Sequence, residues 1–455
     1  MKKVVIFGAG MVTRPPIRYL LNHGFQVTVA TRTKEKAENT LGGHPNGRAV
    51  AFDVTAPDME KSLELLIQEH DLAISLLPYI YHVVIAKACI KYGKDMVTTS
   101  YVSPAMKALD EDAKKAGIII LNEIGVDPGI DHMSAMQIID RIKKQGGEIE
   151  SFSSCCGGLP SPETEKNPFG YKFSWSPRGV VMAGRNSGKF LRDGNEVFIP
   201  GEELFHNYWK AHIDPIGDLE FYTNRDSFPY IELYNLQGIK SIFRGTFRYP
   251  GWCSTLAKIA QLGFLDEKPW ENVKTLTYKG FMKRLIKKPQ AKDVKKEVAK
   301  FLGIDIEAEE IKKLEWLGLF GDETITMKQI TPMDVLVELL LEKLQYKDGE
   351  PDMIVLVHDF VAKYPDRKEE INSTLICYGE PNGDTAMAKT VGIPAAIGTR
   401  LILEGKIDLK GVRIPVYPEI YEPVLAELAE YGVKFEEQYE TIEQYHRSAP
   451  QHFEY

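Results

Sequence analysis

Near its start the chain carries the segment Lys3-Val4-Val5-Ile6-Phe7, in which an unbroken apolar run follows the lysine and no polar residue alternates with the β-branched ones. Such a run suits a strand covered on both faces. Gly8-Ala9-Gly10 follows at once. A helical pattern then occupies 15–22, with Pro15-Pro16 in its first turn, where missing N–H groups cost little, and Gly24 beyond its end. Short apolar runs recur at 25–30, 49–53, 72–77, 95–98 and 118–121, separated by helical periodicity at 59–69, 81–92 and 104–116. Strand–helix alternation predicts an α/β fold built on a doubly wound parallel sheet. In such sheets ligands lie at the carboxyl ends of the strands, which singles out the loops 8–13, 31–34, 53–54, 77–78, 98–101 and 123–127.

Beyond about residue 130 the alternation stops. A strand is expected over 151–156, followed by a turn-rich stretch at 157–163. Residues 167–180 are dense in aromatics, turn formers and cations, as in a binding loop or a packed surface loop. From 254 to 347 the pattern is mostly helical, with helices at 255–262, 292–302, 308–317 and 333–346, and it reads as an all-helical insertion. Strands are expected again at 353–360 and 373–378, and a long helix at 386–404 that contains Gly392, Pro394 and Gly398.

At 455 residues the chain exceeds one ordinary core, and 44% hydrophobic with 26% charged residues excludes a disordered chain. A net charge of −8 argues against a nucleic-acid or membrane-surface partner. The five cysteines are odd in number and show no CxxC spacing, which fits a reducing compartment. The first strand starts at the N-terminus with no signal-like segment, and no apolar run approaches the ~20 residues of a membrane span, so a cytoplasmic protein is expected. Neither HExxH nor GxSxG occurs, so neither a metal nor a serine nucleophile is assigned.

Chemistry enters at the glycine turn. Gly8-Ala9-Gly10-Met11-Val12-Thr13 stands between a strand and a helix, where Gly8 permits the turn and Gly10 lets a pyrophosphate approach the backbone. Thr13 departs from the glycine or alanine of the full fingerprint. After the second strand an NAD-binding sheet carries Asp or Glu for the ribose hydroxyls. Here Thr31-Arg32-Thr33-Lys34 stands there instead, and Arg32 suits a 2′-phosphate, so NADP is the expected cofactor. Three arginines, Arg225, Arg244 and Arg248, fall close together in an acidic chain. Their forks suit carboxylates, whether of a ligand or of the chain itself.

These features together resemble the saccharopine reductase family, the glutamate-forming, NADP-dependent saccharopine dehydrogenases. The resemblance covers essentially the whole chain. It rests most on 167–180, on Cys156 to Pro160 with Ser161-Pro162-Glu163, and on 243–249, with further matches in the phosphate loop, Thr31-Arg32-Thr33, Thr99-Ser100-Tyr101 and Val126-Asp127-Pro128-Gly129. It implies a Rossmann domain over 1–130 completed by about 385–455, a mixed α/β catalytic domain over 131–253 and 348–384, the helical insertion over 254–347, and a homodimer. The implied reaction interconverts saccharopine, water and NADP with glutamate, 2-aminoadipate 6-semialdehyde and NADPH. The implied cofactor contacts are Gly8, Gly10, Met11, Val12, Thr31, Arg32, Thr33, Asp53, Val54, Leu77, Thr99, Ser100, Val126, Asp127, Pro128 and Ser176. Those for substrate are Ser100, Tyr101, Asp127, Trp175, Arg225, Gly245, Thr246, Phe247 and Arg248.

Imine chemistry needs groups that exchange protons, and Asp127, Tyr101 and Cys156 are the candidates. Each has a plainer role open to it: a turn before Pro128, a packed ring, an inert buried thiol. Two other functions use the same scaffold, a carboxynorspermidine synthase-like imine reductase and a noncatalytic NADP-sensing protein.

Overall fold

The computed structural model describes residues 1–271, 276–326, 330–442 and the backbone of 453–454. The chain divides into two compact units. One holds residues 1–148, 352–356 and 373–437; the other holds 149–351, 357–372, 438–442 and 453–454.

The first unit is built on strands β1 (Lys3–Phe7), β2 (Gln26–Thr31), β3 (Gly47–Ala51), β4 (Leu72–Ser75), β5 (Asp95–Thr98) and β6 (Ile119–Leu121). All are parallel, in the order β3-β2-β1-β4-β5-β6, and the strand Gly411–Arg413 adds in parallel beyond β6. Val4, Val5, Ile6 and Phe7 have no exposed surface, which is why β1 carries no polar alternation. The order reverses between β1 and β4, and ligands of such sheets sit at the carboxyl side of that point. Helix Ala386–Leu403 packs along helix Arg14–Asn22. Its 18 residues are long and apolar enough to cross a membrane by length and composition, an exception to the expectation above, but 78% of it is buried within the fold.

The second unit is built on β7 (Glu148–Pro160), the hairpin β8 (Gly188–Arg192) and β9 (Asn195–Ile199), β10 (Tyr208–Ile213), β11 (Gly217–Thr223) and β12 (Ser241–Arg248). Here β12 runs parallel to β7 and antiparallel to β11, which pairs antiparallel with β10. The strands β13 (Asp352–Lys363) and β14 (Lys368–Tyr378) continue the sheet beyond β7. Helices Trp252–Gln261, Tyr278–Leu285, Val294–Leu302, Glu309–Trp316 and Pro332–Lys343 fill the helical stretch. They belong to this same unit and do not separate as a third body.

Several expectations need correction. The turn-rich stretch expected at 157–163 is strand as far as Pro160 and turns only at 162–163. The strand continues to Pro160 because Gly157 lies against β12, where a Cβ would sit 2.8 Å from that of Phe247. The single helix expected over 104–116 is two, Pro104–Lys107 and Asp110–Lys115. Ser103 caps the first, and the acidic run Asp110, Glu111 and Asp112 favours a new N-terminus. The strand placed at 49–53 lies at Gly47–Ala51, which leaves Asp53 and Val54 in the loop beyond it. Helix Ile130–Lys144 belongs with the first unit, not with a middle domain. Helices Lys34–Leu41, Tyr278–Leu285 and Pro418–Glu430 and strands β8 to β12 were not expected.

Candidate active site

At the end of β1, Gly8 takes φ +112°, and a Cβ on it would lie 3.0 Å from the Leu76 carbonyl oxygen, so only glycine fits. Gly10 is different. It is exposed, and a Cβ there would meet no protein atom within 4 Å. Internal packing gives no reason for glycine at this position, whereas close approach of a phosphate to the backbone does. Met11 is exposed beside it and Val12 is half-buried. Thr13 is buried, and its hydroxyl donates to the Gly10 carbonyl at 2.8 Å, so the departure from the fingerprint is used within the loop. Helix Arg14–Asn22 starts directly behind it.

Arg32 and Thr33 are exposed at the end of β2, next to the half-buried Thr31. In the loop after β3, Asp53 accepts from Thr55 N at 2.9 Å and Thr55 Oγ1 at 2.7 Å. Those bonds, with a smaller contribution from the Arg32 charge, hold its carboxyl below the usual range. Val54 and Leu77 are half-buried at neighbouring strand ends. These loops fit a dinucleotide carrying an extra phosphate: open backbone at a helix N-terminus, and an exposed guanidinium where an NAD-binding sheet has a carboxylate.

Further along the same edge, Thr99, Ser100 and Tyr101 leave β5, and Val126, Asp127 and Pro128 lie in the loop after β6. Tyr101 Oη donates to Asp127 Oδ1 at 2.7 Å. Both residues are partly exposed, so the pair lies at the surface of the crevice and not in the core. The structure thus brings together two of the three proposed proton-transfer groups.

Sequence reasoning missed the groups behind this pair. His82 has 4% of its surface exposed and joins three hydroxyls: Nδ1 to Ser75 Oγ at 2.8 Å, and Nε2 to Ser100 Oγ at 2.8 Å and to Thr98 Oγ1 at 3.1 Å. Burial pushes its pKa down to about 4, so the ring is neutral at physiological pH. Glu123 is buried as well, between the backbone of Val102 and the ring of His132. An isolated histidine and an isolated glutamate carry no spacing signal that would have found them.

In the second unit, β12 sorts its residues by pleat. Thr246 pairs with Cys156 on β7 and with Tyr222 on β11, so these three share a face, with Arg244 and Arg248 one pleat away on either side. Arg248 is 4% exposed. Its guanidinium carbon stands 5.0 Å from the Tyr171 ring centre and 5.4 Å from that of Trp252, and Nη1 donates to the Phe247 carbonyl. Arg244 is buried and donates to Tyr230 Oη. Gly245 and Phe247 face the other way. A Cβ on Gly245 would strike Cys155 Sγ, and the Phe247 ring packs on Phe221, so neither side-chain position lies on the Thr246 face.

Arg225 lies apart from that strand. Its side chain is exposed and its backbone takes φ +63°, held where its carbonyl accepts from Lys189 N at 2.9 Å. A left-handed arginine is uncommon, and strain of this kind gathers at functional sites. Trp175 is half-buried, and Ser176 caps helix Pro177–Ala183 by accepting from Gly179 N. The other cations of this segment are engaged internally: Lys172 with Glu350, and Arg178 with Asp334 and Glu267.

The strand order, the glycine turn and the polar groups at the carboxyl edge define a dinucleotide-binding protein of the Rossmann class. Comparison with known proteins narrows this further. Residues 4–121 match the saccharopine dehydrogenase NADP binding domain, and residues 125–433 the saccharopine dehydrogenase C-terminal domain. The chain belongs to the saccharopine dehydrogenase family. It is 42% identical over 449 residues to the saccharopine dehydrogenase [NADP(+), L-glutamate-forming] of Schizosaccharomyces pombe, covering 96% of this chain and 99% of that one. It is 39% identical over 445 residues to the mitochondrial alpha-aminoadipic semialdehyde synthase of Bos taurus, covering 95% of this chain and 47% of the larger bovine protein. The structure of apo histidine-tagged saccharopine dehydrogenase (L-Glu forming) from Saccharomyces cerevisiae is similar to it with a TM-score of 0.87 and 37% identity, covering 96% of this chain and all of that one (100%).

Proposed function

We propose that this chain is an NADP-dependent saccharopine dehydrogenase of the glutamate-forming type, acting in lysine metabolism. The observation that carries this reading is the Tyr101–Asp127 bond at the carboxyl edge of a sheet whose phosphate loop and Arg32 suit NADP. Near-full-length similarity to proteins named for that reaction supports it. The same similarity favours neither a carboxynorspermidine synthase-like reductase nor a noncatalytic sensor.

NADP would be held by the backbone of 8–12, by Arg32 at the 2′-phosphate and by Thr99 and Ser100 farther along the edge; when bound, it supplies the hydride chemistry. The chain's own work is proton transfer and orientation. Saccharopine's secondary amine is protonated near neutral pH and must lose that proton before the adjacent C–H is oxidised. Asp127 accepts it, and the Tyr101 hydroxyl fixes one carboxylate oxygen and stabilises its charge. In the reverse direction the same pair returns the proton to nitrogen. Saccharopine also carries three carboxylates, and the exposed fork of Arg225 suits one of them. The buried Arg248 and the half-buried Thr246 give the Cys156 face a cationic, hydroxyl-bearing character that suits another. Cys156 itself fits the face as a small packed thiol.

A cytoplasmic location is proposed on the odd number of cysteines and their lack of CxxC spacing. A homodimer is proposed on the family resemblance.

The reaction is tested by NADPH oxidation with glutamate plus 2-aminoadipate semialdehyde, run beside a diamine plus aspartate semialdehyde. Turnover confined to the first pair supports the reading. Turnover confined to the second overturns it.

A further inference from the structure

The bond between Tyr101 and Asp127 joins two loops that leave different strands, and a bond of that kind is only as well placed as the loops themselves. Glu123 ties those loops together. Its backbone N–H donates to the Ser100 carbonyl at 3.2 Å, and its Oε1 accepts from Val102 N at 2.8 Å, so one residue grips the chain on both sides of Tyr101. Glu123 also opens the loop that carries Asp127. That loop is closed on itself by Gly125 N donating to the Pro128 carbonyl at 2.8 Å and by Asp131 Oδ1 accepting from Gly129 N at 2.6 Å.

Two features set this glutamate apart from an ordinary capping group. The first is its backbone, at φ +57°, a left-handed conformation that costs a non-glycine residue free energy. Glycine would relieve that cost, so the side chain must contribute something that outweighs it. The second is burial. The Glu123 side chain is 9% exposed and its Oε2 lies 2.8 Å from Nε2 of His132, whose own side chain is fully buried (0%). A carboxylate taken out of water needs its oxygens satisfied, and here one serves His132 and the other Val102. His132 stands in the first turn of helix Ile130–Lys144, so the clamp is anchored to an element that does not belong to either loop.

We propose that Glu123, braced by His132, is a positioning residue of the reaction: it fixes the geometry of the Tyr101–Asp127 pair without touching substrate. This rests on the functional reading given above. A one-ångström error in the placement of a proton-transfer group is enough to cost about 10²-fold in rate. Losing the clamp therefore acts on turnover more than on cofactor binding, whose phosphate contacts lie at the loops after β1 and β2 and whose Ser100 backbone grip comes from the Glu123 N–H, which any side-chain variant keeps.

The test is a double-mutant comparison on the full chain. Glu123→Ala removes both grips of the carboxylate and is expected to lower kcat/KM for saccharopine oxidation by roughly 10-fold, the loss expected when the Tyr101–Asp127 bond itself is removed, with the NADPH Kd changed by less than about threefold. Glu123→Gln keeps an oxygen for Val102 N and recovers most of that loss. In a Tyr101→Phe background the bond that the clamp protects is already gone, so Glu123→Ala costs no more than a few-fold further. Should the alanine variant not fold, Glu123→Asp, one methylene too short to reach both partners, carries the same comparison. Equal fold losses in the two backgrounds, or unchanged kcat/KM in the single variants, would overturn the proposal and leave the functional reading intact. A wild-type chain that does not oxidise saccharopine overturns both.

Discussion

Tyr101 Oη and Asp127 Oδ1 are 2.7 Å apart although their residues are separated by 26 positions in the chain. The phenol donates, so that carboxyl oxygen is held facing one direction. Tyr101→Phe removes that donor and leaves the ring. The expected result is a fall in kcat/KM for saccharopine of roughly 10-fold, the scale of one charge-assisted hydrogen bond. Asp127→Asn removes the proton acceptor itself, and steady-state assays should show a loss of roughly 10²–10⁴. NADPH affinity, followed by fluorescence titration, should stay near wild type in both. Wild-type turnover in Asp127→Asn, with an unaltered pH profile, would reduce Asp127 to a turn residue.

Cofactor choice rests on Arg32, exposed at the end of β2. Arg32→Ala deletes a charge-assisted contact of about 1.5–3 kcal/mol, equivalent to roughly 10- to 150-fold in NADPH affinity. NADH binding should barely change. Equal weakening of both cofactors would mean that Arg32 serves the adenine or the fold.

How much of this was legible in the sequence follows from where each signal resides. Val4 to Phe7 and Gly8-Ala9-Gly10 announce a buried strand and its turn because one local run of residue types carries the whole message. Beyond β6 the message is no longer local. Lys189, Arg192 and Glu196 put charges into the hairpin of β8 and β9, so no apolar run marks it. Gly157 reads as a turn former, and only the Phe247 backbone beside it explains why a strand passes there. Asp127 and Tyr101 were named as candidates from a resemblance, but their bond could not be. His82 and Glu123 went unnoticed because their partners, Ser100 at 18 positions and Val102 at 21, meet them only when neighbouring strands align.

Arg225 combines an exposed guanidinium with a left-handed backbone. Arg225→Ala should raise the KM for saccharopine by roughly 10-fold or more while leaving the KM for NADP within about twofold. Arg225→Lys should restore only part, because an ammonium lacks the planar fork. Unchanged saccharopine kinetics in the alanine variant would remove Arg225 from the site.

His82 gives the fold a pH dependence whose sign can be worked out. Its pKa drops from 6.5 to about 4 on folding, so between those values the unfolded chain binds more protons than the folded one. Stability from this group is therefore complete above about pH 6.5 and is lost as the pH falls toward 4, to an extent of up to roughly 3 kcal/mol. Urea denaturation of wild type and His82→Gln across that window isolates the contribution, since glutamine does not titrate. The wild-type curve should fall more steeply with acid than the variant's. Parallel curves would show that His82 is not held neutral.

Saccharopine's nitrogen joins two carbons, and oxidising one or the other gives different products. Oxidation on the aminoadipate side releases glutamate and the semialdehyde; oxidation on the glutamate side releases lysine and 2-oxoglutarate. Incubating the protein with saccharopine and NADP, and quantifying glutamate, lysine and NADPH together, tests the account at its centre. It predicts glutamate and NADPH in equal amounts with no lysine, and a much lower yield with NAD. Lysine in step with NADPH, or no reduction of NADP at all, would contradict it.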